Sequence, residues 1–139
     1  MFITNRNSEL VYNMATFKIS RPEQFLHENK TWNRLLEFFK QENAFLKTRL
    51  AEVVDHRTDK EFLTLAEQFQ NKFIIKDEYI DELRHDVNLQ QQGLNRKENE
   101  MPDRDTLKKQ EKLRNEMEYF EKDFTKLKNE FNKYLSSVL

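Results

Sequence analysis

Glu82 and His85, in the stretch YIDELRHD (79–86), are the residues best placed to do chemistry. Glu-x-x-His sets a carboxylate and an imidazole on one helical face, which is how carboxylate-bridged di-iron bundles hold metal. His27 and Glu28 form a second acid–imidazole couple. A carboxylate/histidine metal site from His27, Glu28, Glu82 and His85 is therefore the alternative to a bundle without metal. Heptad phase argues against an interior site. With Ile80, Leu83 and Val87 as a, d and a, Glu82 falls at c and His85 at f, the outermost position. His27 is likewise at f of its own helix, and His56 lies in a turn. Di-iron bundles also repeat Glu-x-x-His on a second helix, and this chain has one copy. A turn near residue 57 sets His27 and His85 at similar heights, so the expectation shrinks to a surface site.

Other chemistry is less represented. There is no Gly-rich phosphate loop, no Gly-x-Ser-x-Gly and no His-Glu-x-x-His, since Thr31 stands where a second histidine would follow His27. Cysteine is absent, which removes thiolate catalysis, disulfides and Cys-based zinc sites. The pairs Asp77/Glu78 and Asp81/Glu82 read as a solvated helix face, where nothing lifts a carboxylate toward a general acid's range. The expectation is a protein that is not an enzyme and needs no cofactor.

Charge narrows the partners. Lys+Arg number 24 against Asp+Glu 25, which leaves no field to draw nucleic acid or an anionic membrane. In KLKNEFNKY (126–134), Lys126, Lys128 and Lys133 are interrupted by Glu130 and make no dense basic face. No long apolar run reads as a signal peptide or a membrane span, and the lack of cysteine suits a reducing cytosol, so a cytoplasmic protein is expected. Met14 could be an alternative start.

The elements that position these residues are helices. One glycine and two prolines are too few turn residues for sheets. Residues 1–20 lack helical periodicity and read as an extended N-terminal arm. Ser20 and Glu23 form a capping box, with Pro22 in the first turn. Phe25, Trp32, Phe39, Leu46 and Val53 then recur every seven residues, with Asn29, Leu36, Asn43 and Leu50 as the second row. Thr58 and Glu61 form a second box, with Asp59 as the alternative cap. Phe62, Ala66, Phe69, Phe73, Lys76, Ile80, Leu83, Val87 and Gln90 resume the seam. Gly93 before Leu94 resembles a left-handed helix stop. Pro102 suits the first turn of a third helix carrying Gln110, Leu113, Met117, Phe120, Phe124, Leu127, Phe131, Tyr134 and Val138.

The predicted fold is all-α: an antiparallel three-helix bundle over 21–139, with helices at about 21–55, 59–92 and 102–137. Short linkers favour an up-down-up order. This resembles a spectrin-type repeat in helix number, helix length and the early tryptophan, Trp32. The resemblance is architectural, covers 21–139 and implies no function.

Two departures from the seam point to function. Asn29, Asn43, Gln90 and Gln110 put amides in the core and are expected to form a polar layer that sets register. Asn29, Gln90 and Gln110 fall near one end, and Asn43 near mid-bundle. Apolar residues also fall off the seam: Leu35, Phe38 and Phe45 on the first helix, and Ile74, Ile75 and Tyr79 on the second at about the same height. They are expected to make one apolar interface, covered by the arm, by a second copy or by a partner helix. The leading expectation is a helical interaction or scaffold protein working through protein–protein contacts, as a homodimer or with a helical partner.

Overall fold

The computed structural model describes residues 21–96 and 101–139. Three long helices account for nearly all of them: α1 (Arg21–Val54), α2 (Lys60–Arg96) and α3 (Arg104–Val138). The expected arm, Ser20 and Met14 lie outside the described residues.

The helices run up, down and up. Along α1 and α2 the numbers of paired residues total 121 at Asn33–Asn88, Glu37–Arg84 and Lys40–Asp81, a constant that only antiparallel neighbours give. Between α1 and α3 the difference is constant instead. It is 81 at Asn29–Gln110 and 86 at both Glu28–Arg114 and Glu42–Lys128, so these helices run parallel. α2 and α3 are antiparallel again, through Lys76–Asp123 and the ring contact of Tyr79 with Phe120.

The heptad seams close on one another. Trp32, Leu36, Phe39, Leu46, Phe73, Ile80, Leu83, Val87, Met117, Phe120, Phe124 and Phe131 share one core. Each such side chain stabilises by roughly 1.5–3 kcal/mol relative to exposure. Aromatic rings thicken its middle: Phe39 meets Phe120 and Phe124, and Phe73 meets Phe131 edge-on at 5.0 Å. Near the α3 terminus the buried residue is Leu135, while Tyr134 and Val138 are only half-buried. Tyr134 instead stacks on Phe62 and donates its hydroxyl to the Phe62 carbonyl.

Three details of the helix ends differ from expectation. α2 does not stop at Gly93. It runs to Arg96, and Gly93 has no positive φ. Leu94 is buried and keeps the helix on the core past the glycine. α2 starts from the alternative cap: the Asp59 carbonyl accepts from Leu63 N–H and its carboxylate from Phe62 N–H and Arg57. Pro102 sits before the third helix, because Asp103 is its N-cap and accepts from Thr106 N–H at 2.8 Å.

Candidate functional site

The four residues of the metal alternative do not meet. The pairing total of 121 sets His27 level with residue 94, so His85 lies about 13 Å away along the axis. The expectation of similar heights assumed a centre at the turn, but the link Asp55–Asp59 carries the chain onward before α2 begins. Glu28 is engaged elsewhere, receiving two hydrogen bonds of 2.7 Å from the Arg114 guanidinium and one of 2.9 Å from Gln110. His27, Glu82 and His85 are exposed. Among the described residues no three carboxylates or imidazoles gather as a metal would require.

Three of the four core amides do meet. Gln110 Nε2 donates to Asn29 Oδ1 at 2.8 Å, and Gln90 Nε2 donates to Gln110 Oε1 at 3.1 Å and to the Thr106 carbonyl. Glu28 and Arg114 close this layer at the surface. The sequence placed the amides at one height through their seam positions. It gave no sign of the Glu28–Arg114 lid, because either residue has many partners within reach.

Asn43 stands apart, two heptads along α1. Its Nδ2 donates to the Phe73 carbonyl and to Asp77, both at 2.8 Å. Partial burial pushes the Asp77 carboxyl up. The hydrogen bonds from Lys47 and Asn43 and the charges of Lys47 and Lys40 outweigh this and hold it below the ordinary carboxylate range. Lys76, the charged interruption of the α2 seam, reaches out to Asp123.

The off-seam apolar residues divide among four places. Leu35 is half-buried and packs on the core. Phe38 and Phe45 are 55% and 66% exposed. Glu42 sits between them on the same flank of α1 and reaches Lys128, so this flank faces α3. Ile74 lies one and two turns before Asp77 and Asp81, which reach Lys40, so it belongs to the α1-facing flank of α2. Ile75 lies one turn before Tyr79, whose ring meets Phe120, on the α3-facing flank. The single patch expected from height alone is therefore split, because residues at one height on different flanks face different neighbours.

The α2–α3 edge carries more than sequence reading found. An open hollow of about 390 Å³ lies there, lined by Tyr79, Lys108, Lys112, Glu116 and Tyr119 among others. Partial burial and the charge of Glu116 raise the Tyr79 pKa, so its phenol stays protonated. No helix among the described residues is long and apolar enough to cross a membrane. No protein-family model matches this chain, and neither does any curated protein or solved structure.

Proposed function

We propose that this chain is a non-enzymatic helical scaffold that acts through protein–protein contacts, self-association among them. The observation that carries the reading is the exposed pair Phe38 and Phe45. Two phenylalanines, seven residues apart on one stripe and both more than half in water, are what an anchor for a partner helix looks like. The bundle core does not need them, since Phe39 and Leu46 beside them already fill it. The test is Phe38→Glu/Phe45→Glu, with helicity followed by circular dichroism and crosslinks mapped from a photoreactive residue at position 45. Contact through α1 predicts intermolecular crosslinks at position 45 and loss of that complex in the glutamate variant, with helicity unchanged. A folded variant that keeps every association would sink the reading.

A further inference from the structure

We propose that the α2–α3 edge of the bundle is the surface on which a second copy of this chain docks, acidic α2 against basic α3. The inference rests on the self-association proposed above and gives it a surface distinct from α1. Three observations support it, and the first is charge segregation. Between Thr64 and Asn95 the outward c and f positions of α2 hold Glu78 and Glu82 and no lysine or arginine. Asp86 and Lys72 lie at the edge, both at g. The outward c and f positions of α3 from Lys108 to Ser136 hold Lys108, Lys112, Lys122, Lys126 and Lys133 and no acid. Glu118 falls on the α1-facing flank, while Glu111 and Glu116 line the hollow between these lysines. Among the described residues, neither these five lysines nor Glu78, Glu82 and Asp86 have an ion-pair partner.

The second observation is height. Lys76–Asp123 and Tyr79–Phe120 both total 199, so α2 and α3 are level wherever their numbers reach about that sum. Glu78 is then level with Lys122 and Asp86 with Lys112, each within one residue. A two-fold axis parallel to the bundle keeps every residue at its height and sets α2 of one copy against α3 of the other. Both acid–lysine pairs then form, each twice. A two-fold axis across the bundle would instead set α2 against α2, acid facing acid, at a cost.

The third observation is the apolar row on the same edge. Ile75, Leu89 and Tyr119 are more than half exposed and Leu65 more than a third. In the parallel two-fold arrangement, Leu89 of the second copy comes level with residue 110, at the hollow between Lys108 and Tyr119. The edge from Leu65 to Leu89, two helices wide, offers about 700 Å² per copy, near the roughly 800 Å² of a standard interface. Exposed charge pairs contribute little affinity, so the apolar row supplies attachment and the charges choose orientation.

Charge reversal tests this. One variant carries Glu78→Lys/Asp86→Lys, the other Lys112→Glu/Lys122→Glu. Mass is read by light scattering behind a sizing column, and helicity by circular dichroism. The wild type should run at twice 17.1 kDa. Each variant alone should dissociate roughly 100-fold more readily and run as a monomer, because like charges then face each other. An equimolar mixture should restore the dimer, one copy of each kind. A wild type that is monomeric at every concentration, or variants that remain dimeric alone, would overturn the proposal. If Phe38→Glu/Phe45→Glu yields monomers while both charge variants stay dimeric, the dimer sits on α1: this inference fails and the self-association reading stands. Should a charge variant lose helicity, Ile75→Asp/Leu89→Asp reads the same surface, its dimer loss supporting the proposal and its retention overturning it.

Discussion

Gln110 joins the polar end of the core, since it serves Asn29, Glu28 and Gln90 at once while fully buried. Replacing it with leucine strands Asn29 in an apolar setting and leaves Gln90 the Thr106 carbonyl alone, and Gln110→Leu is expected to cost about 2–3 kcal/mol by urea denaturation. Converting Asn29, Gln90 and Gln110 to leucine together should recover most of that loss, because no buried polar group is then left unpaired. Asp77 supplies a pH signature. Its folded pKa lies below the unfolded value of 3.8, so its contribution is present above that value and is lost as pH falls through the lower folded one. Acid unfolding of Asp77→Asn should therefore show a shallower loss of stability below about pH 4 than the wild type. At this scale the sequence revealed which residues are buried, through their seam positions. It did not reveal which surface charges pair, since long side chains on adjacent turns have several partners in reach.

Among the elements, the helix bodies were legible and the ends were not. Seam phase runs through thirty residues and averages over local exceptions, while a cap depends on one or two. Thr58 and Asp59 both qualify as caps by type, and the chain uses Asp59, where Phe62 N–H and Arg57 are both at hand. Gly93 reads as a stop by type, yet its helix continues because Leu94 is drawn into the core. A Cβ built at Gly93 meets nothing within 4 Å. Gly93→Ala should therefore stabilise the protein by about 0.5–1 kcal/mol in thermal denaturation, whereas a left-handed stop would make it destabilising. Asp103→Ala should cost about 1 kcal/mol by the same measurement, as the cap of α3 is lost.

For the whole molecule, the order of helices followed from linker length and heptad phase, and their relative heights did not. Height depends on how the link Asp55–Asp59 runs, which its composition does not encode. Asn43 is the residue best placed to hold that height, since sliding α1 by one heptad would remove it from the Phe73 carbonyl and Asp77. Asn43→Leu is expected to raise the melting temperature while broadening a single solution mass into several. A higher melting temperature with one unchanged mass would assign the register to the aromatic core instead.

Three is an odd number of helices, and this has a mechanical consequence. Residue 21 and residue 139 lie at opposite ends, about 50 Å apart, since α1 has 34 residues and α3 runs parallel to it. Tension between those points acts along the helices and loads their contacts in shear, all at once rather than one turn after another. At the far end, Arg57 donates to the Val138 carbonyl at 2.8 Å and lies over the Phe62 ring, tying the terminus of α3 to the turn between α1 and α2. A molecule so built transmits displacement from one end to the other as a strut of fixed length.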